Sequence, residues 1–208
     1  MVEIEEQLKI SQEEYRSVPI PILENSTKKM AQYEIIYCAI LGVMGGIISS
    51  LIPFGLLIKI WYPLYGGQQL TSGHHLIWAS IVYGLTKKKR SIMTTMLFKG
   101  LLEFMLGDLW SVIIIFANLL EGFCLVVGFK LMELFKENET KLGWGLAGGF
   151  GNFFQAPFFW TLNQRWHFHF SISLLTFLFA FISGVLITGV LGRAIKNHLI
   201  QAGVPTML

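Results

Sequence analysis

The sequence is poor in charge and in cysteine, and both shortages limit what the protein can be. Charged residues make up only 14% of its 208 residues, whereas 53% are hydrophobic. One soluble core of this size cannot bury that much apolar surface, so part of it must face lipid. The two cysteines, Cys38 and Cys124, lie inside apolar runs, and their spacing is not that of metal-binding cysteines. We expect them to be buried as small hydrophobic residues. We predict an all-α membrane protein without a metal site.

Motifs that would indicate an enzyme or a nucleotide site are also missing. The sequence has no G-x-x-x-x-G-K-[ST] loop, so we expect no ATP hydrolysis by this chain. It has neither H-E-x-x-H nor a G-x-S-x-G elbow, which leaves proteases and hydrolases with little support. The net charge of +3 falls mostly in short linkers, which suits membrane topology better than nucleic acid. We therefore expect no catalytic residues, no cofactor and no nucleic-acid partner.

Apolar runs of helical length predict a bundle of about six transmembrane helices. A bilayer core of roughly 30 Å needs about 20 apolar residues per helix. On that template the spans lie near residues 33–52, 73–86, 91–108, 110–134, 143–162 and 171–193. The second and third are short or polar, so they are expected to line the protein interior. The chain then divides into a polar N-terminal tail (1–30), a transmembrane domain (31–197) and a short C-terminal tail (198–208).

Basic residues concentrate at one end of the predicted bundle. They occupy the linkers after the second and fourth spans and the end of the last span: Lys87, Lys88, Lys89, Arg90, Lys136, Lys141, Arg193 and Lys196. The positive-inside rule places these linkers in the cytoplasm, together with both termini. We predict a multi-pass protein of the cell membrane that contacts membrane lipid.

Ionisable side chains inside the third and fourth spans are the strongest candidates for a site. Lys99 and Glu103 lie one helical turn apart, and Asn118 and Glu121 share a face of the next span. A charge at the centre of a span costs about 2.5 to 3.5 kcal/mol even on insertion scales, so these groups should face the interior and find partners. A mutual ion pair that locks helix packing is the alternative interpretation. If Lys99 neutralises one carboxylate, the other stays free to bind a substrate.

Further polar and aromatic residues could complete a pocket. Asn152 and Gln155 lie three residues apart on the fifth span, while His75 and Trp78 lie near the outer end of the second. Trp78 could stack on a flat heteroaromatic ring. The apolar connection at residues 54–72 is interpreted either as an interfacial aromatic belt or as a lid over the site.

Small residues recur every four positions on the first span, at Gly42, Gly46 and Ser50. Such a stripe lets another helix approach closely and gain dispersion contacts. The neighbour could be another helix of this chain or a helix of a partner protein.

The stretch from Trp78 to Glu121 resembles the S components of energy-coupling factor (ECF) transporters, and within them the YkoE-like group associated with thiamine or its hydroxymethylpyrimidine precursor. It has a Trp-bearing second helix, a basic turn, Glu103 shortly before Gly107, and Glu121 followed by Gly122. The resemblance covers roughly residues 33–195. It implies six helices and an outward-facing site, with uptake driven by a membrane scaffold subunit and two ATPase subunits.

The resemblance also implies roles for individual residues. Glu103 and Glu121 would accept hydrogen bonds from an aminopyrimidine or cationic ring, and Trp78 would stack on it. Gly42, Gly46 and Ser50 would form the docking face for the scaffold. Lys99 departs from the expected pattern, because a cation in the site disfavours a purely cationic ligand. The predicted substrate-binding set is Trp78, Lys99, Glu103, Asn118, Glu121, Asn152, Gln155 and His75.

Two other functions would also use buried carboxylates. A proton-coupled carrier that acts alone could use Glu103 and Glu121 as proton sites. A membrane-embedded enzyme could use them for acid-base chemistry. The sequence favours the substrate-binding subunit, because no catalytic motif accompanies the carboxylates.

Overall fold

A computed structural model describes residues 20–51, 67–107, 111–137, 139–162 and 169–207. Within these ranges every regular element is helical. The helices are α1 (Ile20–Leu51), α2 (Ile77–Thr86), α3 (Lys89–Met105), α4 (Ile113–Leu134), α5 (Lys141–Leu162), α6 (Phe170–Ser183) and α7 (Gly192–Gln201), with a 3-10 helix at Gly67–His74 and a π-helix at Gly184–Leu191. By its internal contacts the chain divides after Glu34, and the second unit comprises residues 35–208. All contacts described below lie within the second unit.

The helices correspond to the six predicted spans, with shifts at the ends. Helix α1 begins at Ile20, inside the predicted tail, and the run from α6 through the π-helix to α7 continues past residue 193 to Gln201. Among the described residues, three segments are long and apolar enough to cross a membrane: Ala31–Leu51, Ile113–Leu134 and Phe170–Gln201. Helix α2 buries all of its residues except Trp78, as expected for the second span. Helix α3, expected to line the interior as well, buries one face only and exposes Leu97 and Met105. Residues 54–66, most of the connection predicted as a belt or lid, lie outside the described residues.

Tight connections at the basic end make successive helices antiparallel. Helix α2 stops at Lys87, whose φ of 55° is left-handed and whose N–H bonds the carbonyl of Tyr83 at 2.7 Å. Helix α3 starts two residues later. Lys136, with φ 57°, turns the chain after α4, and the Thr140 hydroxyl accepts the N–H of Gly143 at the start of α5. Short connections therefore suffice to reverse the chain at this end of the bundle.

The helices pack in chain order, α2 on α3, α3 on α4, α4 on α5, and α5 on the last helical run, which closes onto α2 through α7. The contact between α5 and the π-helix is close enough to exclude side chains. A Cβ added to Gly148 would lie 2.5 Å from the carbonyl oxygen of Gly184. Close backbone contact of this kind supplies dispersion energy that lipid cannot match.

The interior of the bundle has two halves of opposite character. The aromatic half lies toward the basic linkers and is built around Tyr83, Phe129 and Trp144, whose rings contact one another. The polar half lies toward the opposite ends of the same helices. Its buried members are Lys99, Glu103, Asn118, Glu121, Asn152 and Gln155. The polar groups predicted as a site therefore occupy one layer of the bundle.

Candidate functional site

Lys99, Glu103 and Asn118 form a closed hydrogen-bonded triad between α3 and α4. Lys99 Nζ donates to Glu103 Oε1 at 2.6 Å and to Asn118 Oδ1 at 2.7 Å. Asn118 Nδ2 donates to the other carboxylate oxygen, Glu103 Oε2, at 2.6 Å. All three side chains are almost fully buried. Such charges persist in a low-dielectric interior because each is paired and hydrogen-bonded.

His75 completes the coordination of the lysine. Its Nδ1 lies 3.2 Å from Lys99 Nζ, and since an ammonium only donates, Nδ1 accepts there. The Ser49 hydroxyl of α1 lies 3.4 Å from the same nitrogen. The three ammonium protons of Lys99 thus match three acceptors, in Glu103, Asn118 and His75. In this structure Lys99 is paired with Glu103, which is the ion-pair interpretation of the sequence.

Glu121 is the second buried carboxylate of the polar half, and its situation differs from that of Glu103. It lies one turn beyond Asn118 on α4 and is only 4% exposed. Its Oε2 has no hydrogen-bond partner among the described residues. A buried carboxylate oxygen without a donor is costly, by about 1 to 3 kcal/mol or more. Glu121 is therefore better placed than Glu103 to accept a hydrogen bond from a bound molecule.

Asn152 and Gln155 form a second polar group, on α5. Gln155 Nε2 donates to Asn152 Oδ1 at 2.7 Å. Asn152 Nδ2 in turn donates to the Ser72 hydroxyl at 2.7 Å and to the carbonyl of Ala180 at 2.6 Å. These bonds tie α5 to the 3-10 helix and to α6. Gln155 Oε1 is buried and has no partner in the described part of the chain.

Trp78 lies against α1, in contact with Gly45. A Cβ added at Gly45 would lie 2.6 Å from the indole Cδ1 of Trp78. The indole is half-buried and packs beside the apolar cluster of Ile77, Ile81 and Leu85. Its predicted role, stacking on a ligand ring, stays a prediction.

The small-residue stripe of α1 is used inside this chain at two of its three positions. A Cβ on Gly42 would lie 2.7 Å from the carbonyl oxygen of Thr95, and one on Gly46 would lie 3.1 Å from that of Lys99. Both glycines are buried against α3, whereas Ser50 is exposed. Packing within the chain, the alternative interpretation, therefore accounts for Gly42 and Gly46. A partner-docking role for the stripe stays a prediction, with Ser50 as its exposed member.

Sequence reasoning did not identify Ser49 and Ser72, which hydrogen-bond His75 and Asn152. Serine is common on membrane helices and in loops, so neither position differs from many others in the sequence. The signal that could have found Ser72 is its place between a helix-breaking glycine pair and Gly73-His74-His75. A segment that re-enters the bundle there must satisfy its backbone, and Ser183 and Thr188 do so by bonding the N–H and carbonyl of Gly73.

The chain was compared with curated proteins, with solved structures and with protein families. None of the curated proteins matches the chain. A solved structure described as an S component of an ECF transporter superposes with a TM-score of 0.72 at 19% identity, covering 83% of this chain and 86% of the other. At that identity the likeness shows the fold alone, which is the S-component fold. The family described as "ABC-type cobalt transport system, permease component" matches residues 33–154.

Membership in a permease family makes the protein a component of membrane transport and not an enzyme. The match spans more than half of the chain and contains the triad, Glu121 and Asn152. The protein therefore belongs to the family of ABC-type cobalt transport system permease components, built on the S-component fold.

Proposed function

We propose that this chain is the substrate-binding S component of an ECF transporter, and that it captures thiamine or a related hydroxymethylpyrimidine for uptake. The observation that carries the proposal is Glu121 Oε2, buried and without a donor in the described part of the chain, beside a triad that is already satisfied. Lys99 neutralises Glu103, so Glu121 is the carboxylate left to receive an N–H of a bound molecule.

The position of the polar half supports capture from outside the cell. Lys87, Lys89 and Arg193 meet at the other end of the bundle, where they contact Glu133, Glu139 and the Glu139 carbonyl. The positive-inside rule assigns that basic end to the cytoplasm, with both termini. On that assignment the polar half lies toward the outer leaflet.

The family's description refers to cobalt, but the described residues favour an organic ligand. They contain no group of three or more His, Cys, Asp and Glu side chains placed to hold a metal ion. Lys99 Nζ also lies 2.6 Å from Glu103 Oε1, where a metal cation would have to compete with it. A flat ring with N–H donors fits this arrangement better.

Transport by an S component requires partner proteins. We propose a membrane scaffold subunit and two ATPase subunits. The scaffold-docking face would include Ser50 on the exposed side of α1. Co-purification with a scaffold and ATPases, and uptake that stops when ATP is removed, distinguish this function from a proton-coupled carrier acting alone.

The first test is ligand binding by the purified, detergent-solubilised chain. Thiamine and hydroxymethylpyrimidine are titrated while Trp fluorescence is recorded, with riboflavin and biotin as unrelated vitamins. We expect saturable quenching by the pyrimidines only. A panel without any pyrimidine signal would remove the ligand class.

A matched pair of variants on α4 tests the role of Glu121. Glu121→Gln replaces a charged acceptor by a neutral one and should weaken thiamine binding by about 1 to 3 kcal/mol. Glu133→Gln makes the same change in the aromatic half, where Glu133 accepts from Tyr83, and should leave binding unchanged. Equal affinities for the two variants would place the site elsewhere.

A further inference from the structure

A backbone carbonyl fixes the orientation of two side-chain amides in series. The carbonyl of Ala180 can only accept, so the group of Asn152 that lies 2.6 Å from it must be the Nδ2 donor. Asn152 Oδ1 then faces Gln155, and Gln155 must present its Nε2 donor there, at 2.7 Å. Neither amide can be turned over without placing two oxygens or two N–H groups against each other.

The fixed orientation of the two amides determines which atom of Gln155 remains without a partner. Its donor is directed to Asn152, so its acceptor, Oε1, points the other way. Gln155 is 2% exposed, and Oε1 has no hydrogen-bond partner among the described residues. A buried acceptor held in a fixed direction without a donor is unusual in a folded protein and points to a group supplied from outside.

The register between α4 and α5 places Glu121 at the level of Gln155. A Cβ on Gly128 would lie 2.3 Å from the carbonyl oxygen of Ala147, and one on Gly151 would lie 2.9 Å from the Cα of Leu125. These contacts pair antiparallel helices. Glu121 lies one turn before Leu125 on α4, and Gln155 lies one turn after Gly151 on α5. Because the two helices are antiparallel, both residues lie one turn from the Gly151–Leu125 contact toward the same end of the bundle, on the helix faces that make this contact.

We propose that Gln155 is a specificity-determining residue of the substrate site, paired with Glu121, and that Asn152 is its positioning residue. The inference rests on the proposed function and deepens it. Two acceptor oxygens without donors among the described residues, Glu121 Oε2 and Gln155 Oε1, select a flat ring that carries an amino group. A ring with a carbonyl in place of that amino group is rejected, because its carbonyl oxygen would face Gln155 Oε1 and neither oxygen can donate a hydrogen bond.

Thiamine and oxythiamine test this selection, because oxythiamine has a ring carbonyl where thiamine has its amino group. Their dissociation constants are measured by calorimetry on the purified full chain. Wild type should prefer thiamine by about tenfold or more, the scale of one well-made hydrogen bond. Gln155→Met, which keeps the length and removes the acceptor, should reduce that preference by about tenfold.

The positioning role of Asn152 has a separate readout. Asn152→Ala frees the Gln155 amide to turn, so the preference should fall while oxythiamine binding improves, since the turned amide can donate to its carbonyl. A purely structural residue would weaken both ligands alike. Thr161→Val, which removes a hydroxyl bonded to the Pro157 carbonyl at the exposed end of α5, is the control and should leave the preference unchanged.

The outcomes separate this inference from the proposed function. If wild type binds thiamine and Gln155→Met keeps the full preference, the role of Gln155 is wrong and the transport function stands. If wild type binds neither compound, both fail. Should Gln155→Met not fold, Gln155→Asn withdraws the same oxygen by one methylene and must reduce the preference in the same way, or the inference is overturned.

Discussion

The two halves of the bundle solve the same packing problem by different means. In the aromatic half, Tyr83 and Phe129 lie with ring centroids 4.2 Å apart, and Phe129 meets Trp144 edge to face at 5.2 Å. In the polar half, the space between α3 and α4 is filled by Lys99, Glu103 and Asn118, joined at 2.6 to 2.7 Å. Rings tolerate small shifts, whereas buried charges do not. The polar half is thus the part of the core where a single substitution costs most.

The two halves also differ in which buried polar atoms lack a partner. In the aromatic half the Tyr83 hydroxyl donates to Glu133 Oε1 at 3.0 Å, whereas the Trp144 Nε1 donor is buried without a hydrogen-bond partner among the described residues. In the polar half, acceptor atoms of Glu121 and Gln155 have no donor among the described residues. The unpaired atoms of the polar half are acceptors, so the ligand proposed above would supply the donors that they lack.

The largest effect is expected from breaking the triad. Lys99→Met leaves the Glu103 carboxylate buried and without its cation, which should destabilise the protein by about 3 to 5 kcal/mol. The free energy of unfolding in detergent is followed by Trp fluorescence.

The double variant Lys99→Met with Glu103→Gln is the control, because the amide oxygen introduced in place of the Glu103 carboxylate can still accept from Asn118 without a charge. It should recover more than half of the loss. A double variant as unstable as the single one would show that packing, and not charge, dominates this layer.

The second-largest effect is expected where two backbones are in close contact, and two glycines of α5 provide the comparison. Gly148→Ala puts a methyl group 2.5 Å from the Gly184 carbonyl oxygen and should cost about 1 to 3 kcal/mol. At Gly145 the nearest atom to an added Cβ is the Val185 Cγ1, at 3.3 Å, so Gly145→Ala should be neutral, or stabilising by up to about 1 kcal/mol. Thermal unfolding midpoints measure the difference, and equal shifts would contradict the packing account.

A smaller effect is expected at the edge of the aromatic half. Tyr83→Phe keeps the ring and removes the hydrogen bond to Glu133, so it should cost about 0.5 to 1.5 kcal/mol. Ligand affinity should not change, because the hydroxyl lies at the basic end of the bundle. A loss of thiamine binding in a folded Tyr83→Phe protein would mean that the halves are coupled.

Helix positions and the membership of the polar half could be predicted from the sequence, but its internal pairing could not. Charges in apolar runs must face inward, and spacing places Lys99 with Glu103 and Asn118 with Glu121 on common faces. Which carboxylate receives the lysine depends on how α3 and α4 are aligned. The same limit explains Gly42 and Gly46: a small-residue stripe predicts a close neighbour but not which helix it is.

The smallest effect is expected at the ion pair between Lys87 and Glu139, at the basic end. Its side chains are 25% and 57% exposed, so solvent screens the attraction, and Glu139→Gln should cost less than about 1 kcal/mol. The variant keeps the Glu139 backbone carbonyl that accepts from Arg193 Nη2 at 2.9 Å, which isolates the charge. Free energies of unfolding at low and high salt measure the contribution of this ion pair. The difference between wild type and variant should shrink as the salt concentration rises. A cost as large as that of breaking the triad would mean that exposure does not set the strength of charge pairs in this protein.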